Sequence, residues 1–300
     1  MSKQNEHRAA VRNYKDSVFR MIFSDKKELL ALYNALNGSH YTDPEILTIK
    51  TLENAIYMNI KNDLSFLLHD GLYLYEHQST FNPNMPLRDL FYVADEFQEI
   101  IRMEDLYKST KVKIPTPEFV TFYNGKQKQP ERKLLKLSDA FEKRVERPGM
   151  ELIVTMLNIN AGCNKELMEQ CRTLRDYALY VEKVRSYSQT METDEAVEKA
   201  VTECIKDDIL KEFLLRQRAE AVKVTIYEFD QEQHNQTLRE EGYVEGHAEG
   251  LAEGREKGIE ILIRTCKKHN ATKEEILSSL REEYGYGTDE EAMEKINLYW

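Results

Sequence analysis

The chain has 300 residues, of which 41% are hydrophobic and 32% are charged, and its formal net charge at pH 7 is -11. This hydrophobic share argues against a wholly disordered chain, and no run approaches the roughly 18 to 20 apolar residues that a membrane-spanning helix requires. The N-terminus lacks the apolar stretch of a signal peptide, so the sequence predicts a cytoplasmic protein with no membrane partner.

The first 160 residues contain both helical and strand patterns. Apolar residues recur with helical spacing in residues 16–38, with an interruption near Ser24 and Asp25, and again in residues 87–108. Short apolar or alternating runs predict five strands, at residues 55–60, 63–68, 72–78, 117–125 and 150–159. We therefore predict an α/β (α+β) fold in the order helix, three-stranded antiparallel meander, helix and further strands.

Charge and periodicity change along the chain. Residues 102–147 hold 12 basic and 7 acidic residues, whereas residues 186–300 hold 27 acidic and 15 basic residues. The basic segment keeps nucleic acid open as a partner, although such lysine clusters are also common on ordinary solvated surfaces. From Asn164 onward the pattern is helical almost to the end. We predict two regions, a domain over residues 1–187 and an acidic helical tail over residues 188–300.

The predicted tail contains a glycine stripe with strict four-residue spacing: Gly242, Gly246, Gly250, Gly254 and Gly258. A glycine inside a helix lowers the stability of that helix by about 0.5 to 1 kcal/mol relative to alanine. The stripe should therefore either be stabilised by another contact or leave this part of the helix frayed. One interpretation is close approach of a second helix, which would make the protein a homo-oligomer. The other is a solvated, semi-flexible helix.

The segment DLSFLLHDGLYLYEHQ, residues 63–78, predicts a β-hairpin with its turn at Asp70 and Gly71. The register that we predict pairs His69 with Leu72. A four-residue loop keeps this register, whereas a bulge or a loop of odd length would break it.

Polar side chains gather at the open end of this hairpin. Because side chains alternate between the faces of a strand, Asp63, Glu76 and Gln78 share one face and His77 lies on the other. Opposed Cβ atoms lie about 4.5 to 5.5 Å apart and diagonal ones about 7 to 8 Å, so the two carboxylates can converge on one Mg²⁺ or Mn²⁺ ion. An amphipathic hairpin with solvated polar ends would show the same pattern.

The order of elements and several motifs resemble the PD-(D/E)XK nuclease superfamily, specifically its Rpn (recombination-promoting nuclease) and putative-transposase branch. The matching stretches are KDSVFRMIFSD with LLALYNALNG, Asn62 with Asp63, YEHQS followed by MPLRDLFYVADEF, and FVTFYNG. The resemblance covers roughly residues 14–160, and repeated Glu-Gly steps in the tail are also similar to the family.

This resemblance implies a restriction-endonuclease-like core and a Mg²⁺-dependent DNA endonuclease linked to recombination or mobile elements. Asp63 and Glu76 would bind the metal, and Gln78 stands where many superfamily members carry lysine. An amide only donates and accepts hydrogen bonds, so slower chemistry or a strict metal dependence would follow. A further acid often joins such sites, and the candidates are Asp16, Glu28 and Glu53.

Two alternatives remain open from the sequence. The glutamine and the acidic balance also fit a catalytically weak or inactive nuclease-like scaffold that binds protein partners through its helical tail. Arg88, in the first turn of the second predicted helix, is either a phosphate contact or a solvated surface residue. Tyr123 is either a core aromatic at a strand end or a substrate contact.

Overall fold

The computed structural model describes residues 17–50, 64–285 and 288–300. The chain divides into two compact units, residues 1–232 and residues 233–300. Six strands form one mixed sheet in the order β1-β2-β3-β4-β6-β5. The strands are β1 Thr48–Lys50, β2 Leu64–Leu68, β3 Gly71–Gln78, β4 Thr116–Tyr123, β5 Arg132–Lys136 and β6 Ile153–Asn158.

Among the described residues, two α-helices precede β1 in the sequence, one lies between β3 and β4, and the others follow β6. The helices are α1 Val18–Phe23, α2 Lys26–Asn37, α3 Met85–Ile100, α4 Lys165–Gln170, α5 Arg172–Tyr187, α6 Thr193–Lys206, α7 Lys211–Lys268, α8 Lys273–Tyr284 and α9 Asp289–Tyr299. The predicted α+β class with a long helical C-terminal region is therefore confirmed. No helix in the described ranges is long and apolar enough to cross a membrane.

Strands β1, β2 and β3 form an antiparallel meander, in which the predicted pairing of the strands near residues 63–68 and 72–78 is confirmed. Its first strand in the structure is Thr48–Lys50, while the predicted strand at residues 55–60 lies outside the described residues. Strands β3, β4 and β6 run parallel to one another, and β5 pairs antiparallel with β6 at the sheet edge. The β5 strand was not predicted, because RKLLK carries three basic residues in five positions.

The sheet is buried on both faces, as expected for its parallel strands. One face carries Phe66, Tyr73 and Tyr75, which pack with α1, α2, α5 and α6 in the larger core. The other face carries Leu72 and Leu74, which pack under α3. The partition of hairpin side chains predicted from strand alternation is thus confirmed for β2 and β3.

The predicted register of the hairpin is wrong by two residues. Leu68 pairs with Gly71, so that His69 and Asp70 form a two-residue turn, with His69 at φ 51°. Gly71 is the first residue of β3, and the Tyr73 ring lies over it so closely that a Cβ at position 71 would clash with that ring. Since the shift is an even number of residues, every hairpin side chain in residues 64–78 keeps its predicted face.

The division between the units lies well beyond the boundary that composition suggested near residue 188. Helix α6 follows that boundary, yet it buries Val197, Ala200 and Val201 in the same core as the sheet. The compact first unit therefore extends to residue 232. A change in composition marks where a surface becomes acidic, and it does not mark where packing ends.

The second unit, residues 233–300, has its own small core. The last turns of α7 pack with α8 and α9 through Ile259, Ile263, Ile276, Leu280, Ala292 and Ile296. Helix α8 begins with a capping box, in which Thr272 and Glu275 satisfy each other's backbone N–H groups. Within α7 this core starts only at Ile259, so the helical segment that precedes it in this unit contributes no side chain to it.

Candidate functional site

The candidate site lies between strand β3 and helix α3, on the face of the sheet that carries Glu76. Glu76 is only 5% exposed, although a glutamate is almost never buried unless it is paired. Helix α3 begins after Asn84 and carries Pro86 in its first turn, where the missing N–H of proline costs nothing. Its first turn contacts the carboxyl end of β3, where Met85 meets Gln78 and Arg88 meets Glu76.

A salt bridge joins the strand to the helix. Arg88 Nη2 donates to Glu76 Oε1 at 2.6 Å and to Tyr92 Oη at 3.0 Å. Burial lowers the pKa of the Arg88 guanidinium, but Glu76, Tyr92 and Asp89 together outweigh this effect and raise the pKa above its usual value. Burial, together with the Glu76 charge, raises the pKa of Tyr92 to about 12. Arg88 is thus a partner of Glu76 and not a freely solvated residue.

A second buried acid occupies the next turns of α3. Ser65 Oγ lies 2.6 Å from Glu96 Oε1 and 2.7 Å from the Lys50 carbonyl oxygen. Ser65 Oγ is the donor in both contacts, so its single proton is shared between Glu96 Oε1 and the Lys50 carbonyl oxygen. Burial raises the pKa of Glu96, and the Ser65 hydrogen bond opposes this with a smaller lowering effect.

Asp89 and Thr121 complete the polar content of this interface. Asp89 is 2% exposed, and burial raises the pKa of its carboxyl group to about 7 despite the neighbouring Arg88. Thr121 on β4 is the register partner of Glu76 on β3. Its buried Oγ1 has no hydrogen-bond partner among the described residues, and the same is true of Arg88 Nε.

Gln78 is the last residue of β3 and shares the face of Glu76. Its Nε2 lies 2.5 Å from the sulfur of Met85, the first residue of α3. The strand end is held from the neighbouring chain segment, because Asn124 N donates to the Gln78 carbonyl at 3.1 Å. Gly125 then passes so close to the Ser79 carbonyl that a Cβ at position 125 would clash with it. Gln78 therefore sits at a well-supported strand end.

His77 lies on the opposite face, as predicted. Its Nε2 is 3.0 Å from Tyr177 Oη, and its ring stacks on Phe19 with centroids 5.2 Å apart. Burial lowers the pKa of His77 to about 4, so the imidazole is neutral near pH 7. Tyr123 is a buried aromatic, in keeping with the core interpretation, and its Oη donates to the Gln127 carbonyl at 2.6 Å.

The remaining predicted site residues divide into two groups. Asp63, Asp16 and Glu53 lie outside the described residues. Glu28 is on α2, where it accepts a hydrogen bond from Thr173 Oγ1 at 2.5 Å. Helix α2 packs on the sheet face opposite Glu76, so the structure does not bring Glu28 to this site.

The side chains at this site offer oxygen atoms, which are the ligands that a hard divalent cation prefers. Mg²⁺ prefers oxygen ligands, keeps several waters and binds through as few as one or two carboxylates. Glu76 supplies one buried carboxylate, next to the unpartnered Thr121 hydroxyl. Within the described ranges, no cluster of three or more acidic, histidine or cysteine side chains could hold a metal ion. Metal binding here would therefore depend on Asp63 together with Glu76.

The sequence did not identify most of the polar residues that the structure places around Glu76. The signal that could have found them is the periodicity of α3, whose buried positions include Met85, Tyr92 and Val93. Asp89 and Glu96 occupy the same helical face, where apolar residues are expected. Acids at core positions of an otherwise amphipathic helix indicate partners on the neighbouring strands.

Comparisons of this chain with protein-family models, with curated proteins and with solved structures find no match.

Proposed function

We propose that this protein is a metal-dependent DNA endonuclease of the PD-(D/E)XK type, with Asp63 and Glu76 as metal ligands and Gln78 beside the reacting phosphate. The observation that carries the proposal is the buried carboxylate of Glu76 at the carboxyl end of β3. Asp63 directly precedes β2, the strand that pairs with β3. The restriction-endonuclease-like core, Rpn membership and a link to recombination or mobile elements are parts of the same proposal.

The chain's own residues would divide the work as follows. Asp63 and Glu76 would hold Mg²⁺ or Mn²⁺, which when bound polarises a phosphodiester and lowers the pKa of a bound water. Gln78 would orient the attacking water through its amide, since it has no charge to offer. The surrounding packing of β3 under α3 excludes bulk water from Glu76 and so strengthens its electrostatic interactions.

The basic segment 102–147 is the proposed DNA-binding surface. Its residues Arg132, Lys133 and Lys136 lie on β5, which is the edge strand of the sheet. Lys133 Nζ sits 4.5 Å from the ring centroid of Phe81, in the loop that leads from Gln78 to α3. The Lys133 ammonium group therefore lies on the loop beside the proposed site, where it could contact a phosphate backbone.

Plasmid nicking tests the proposal. An Asp63→Ala, Glu76→Ala variant should nick supercoiled plasmid in Mg²⁺ at least about 100-fold more slowly than the unmodified chain, because metal ligation supplies several kcal/mol of transition-state stabilisation. The matched control is Glu118→Gln, an exposed acid on β4 whose register partner is Tyr73, on the opposite face of the sheet. It should nick at the unmodified rate.

Equal nicking by the unmodified chain and the double variant would exclude this site. Absence of nicking by both, together with absence of cation binding, would favour the second candidate, an inactive nuclease-like scaffold. The specific observation behind that candidate is the ion pair itself, since Arg88 neutralises Glu76 without any metal. Its acidic second unit would then bind protein partners.

We also propose that the glycine-containing part of α7 mediates homo-oligomerisation. Residues 236–255 are exposed throughout, including the apolar side chains of Tyr243, Val244 and Leu251. A Cβ added at Gly242, Gly246, Gly250 or Gly254 would meet no described atom within 4 Å. Four of the five glycines thus leave an open groove on this helix, whereas Gly258 packs against Tyr284.

Alanine substitution separates an oligomer contact from a solvated helix. Replacing all four open glycines should stabilise a solvated helix by about 2 to 4 kcal/mol, since each substitution is worth about 0.5 to 1 kcal/mol. If the groove receives a second helix, the added methyl groups should instead shift the protein toward monomer in analytical ultracentrifugation. Gly258→Ala is the control outside the open stripe, because its Cβ would lie 2.6 Å from Tyr284 Oη and would shift that side chain within the second unit, so it should leave the oligomeric state unchanged.

A further inference from the structure

The ion pair between Glu76 and Arg88 occupies a carboxylate that the proposed metal needs. We propose that binding of a divalent cation at Glu76 displaces Arg88, and that the released guanidinium then contacts the substrate phosphate. The inference rests on the nuclease function proposed above and assigns Arg88 a role in it. In the metal-free chain Arg88 would occupy the Glu76 carboxylate, and in the metal-bound chain it would bind the DNA phosphate.

The geometry of the ion pair favours exchange. Arg88 uses a single nitrogen, Nη2, for both Glu76 Oε1 and Tyr92 Oη. Its Nε is buried and has no hydrogen-bond partner in the described part of the chain. Arginine binds carboxylates most strongly when two parallel N–H groups meet two oxygens. A guanidinium held through one nitrogen, with another left unpaired, is therefore held less firmly than this interface would allow.

The two partners differ in their freedom to move. The Glu76 side chain is 7% exposed, whereas that of Arg88 is 26% exposed. Glu76 is fixed within a paired strand, and Arg88 reaches it by a long side chain from the first turn of α3. A cation at Oε1 and a guanidinium 2.6 Å from the same atom would repel each other. Arg88 is thus the group that would leave.

A phosphate is the anion that would suit the released group. The planar guanidinium matches phosphate oxygens with two parallel donors, and Arg88 Nε is already unpaired. Thr121 Oγ1, beside Glu76 in the β3–β4 register, is a second buried donor without a partner among the described residues. Two potential donors next to one carboxylate are arranged for a ligand that brings oxygen atoms.

Competition of this kind has a measurable consequence. When only a fraction of the chain has Glu76 available, the apparent dissociation constant of the cation rises in inverse proportion to that fraction. Removing Arg88 should therefore tighten cation binding, while removing the phosphate contact should slow cleavage. A substitution that merely damaged the fold would weaken both properties. The opposite directions distinguish the proposed role from a structural one.

The experiment measures Mn²⁺ binding and plasmid nicking on the full chain. Binding is followed by isothermal titration calorimetry without DNA, and nicking is measured at saturating Mn²⁺. Arg88→Met should bind Mn²⁺ about tenfold more tightly than the unmodified chain and nick at least about tenfold more slowly. Glu76→Gln should abolish the Mn²⁺ site, which identifies the carboxylate being measured.

Tyr92→Phe serves as a second variant in case loss of the buried charge pair prevents folding of Arg88→Met. It removes only the hydroxyl that holds Arg88 in place, at 3.0 Å, and should tighten Mn²⁺ binding several-fold. Unchanged or weaker binding by the folded variants, with Mn²⁺ still bound at Glu76, would overturn the displacement and leave the nuclease proposal intact. If the unmodified chain neither binds Mn²⁺ nor nicks DNA, the nuclease proposal fails and the displacement fails with it.

Discussion

Phe19→Ala should lower the free energy of unfolding of the first unit by about 3 to 5 kcal/mol. Phe19 is fully buried, and its ring contacts four other rings, with centroids 4.6 Å away for Phe23, 5.1 Å for Phe122, 5.2 Å for His77 and 5.6 Å for Tyr177. It joins α1 to β3, β4 and α5 at once. Truncation would leave a cavity among elements that cannot all move inward.

Urea unfolding followed by far-UV circular dichroism measures this loss. The matched control is Phe91→Ala, because Phe91 is 47% exposed on α3 and should cost less than about 1 kcal/mol. Trp300 is the only tryptophan of the chain and belongs to the second unit, so its fluorescence follows that unit separately. A Phe19→Ala loss as small as that of Phe91→Ala would contradict the packing described for the larger core.

Asp89→Asn should stabilise the protein at pH 8 by up to about 4 kcal/mol and by much less at pH 5. Asp89 has a pKa of about 7 in the folded chain against an ordinary value of 3.8, because burial disfavours its charge. Between these values the folded chain holds a proton that the unfolded chain has released. The free energy of unfolding therefore falls as the pH rises through this window, by about 1.4 kcal/mol per unit of pKa difference.

The titration of His77 changes the free energy of unfolding in the opposite direction, over an overlapping pH range. Its pKa falls from 6.5 to about 4 on burial, so between these values the unfolded chain holds the additional proton. Its contribution to stability is complete above pH 6.5 and is lost as the pH falls toward 4. In the unmodified chain the effects of Asp89 and His77 oppose each other across this range. Asp89→Asn should expose the acid sensitivity that His77 causes.

Urea midpoints measured at pH 5, 6.5 and 8 test both parts of this prediction. Asp95→Asn is the matched control, since Asp95 is an exposed aspartate on the same helix. It should leave the pH dependence of the midpoint as it is in the unmodified chain. If Asp89→Asn fails to raise the midpoint at pH 8, the Asp89 carboxylate is stabilised by contacts stronger than its burial.

Periodicity was sufficient for the elements that bury one regular face. The break between α1 and α2 was visible at Ser24 and Asp25, and Asp25 caps α2 through a bond to the Lys27 N–H at 2.9 Å. The strands at residues 64–68, 71–78, 116–123 and 153–158 were also predictable, because their apolar runs are short and bounded by turn residues.

The errors arose where a distant contact outweighed a local signal. The Asp-Gly pair predicted the wrong turn, since Gly71 pairs with Leu68 within the strand and accommodates the Tyr73 ring, a contact that the local pattern does not show. The strand β5 was missed because it is a charged edge strand whose pairing partner, β6, lies about 20 residues further along the chain. Composition placed a boundary near residue 188, whereas packing of α6 extends the first unit to residue 232.

The sequence by itself determined most of the helices and strands and the faces of the β2–β3 hairpin, because these follow from spacing along one segment, and it made Glu76 and Gln78 candidate site residues. Only the tertiary structure decided what surrounds Glu76. The contacts of Arg88 with Glu76 and of Glu96 with Ser65 join residues 12 and 31 positions apart. They depend on how α3 lies across the sheet, and no local pattern specifies that geometry.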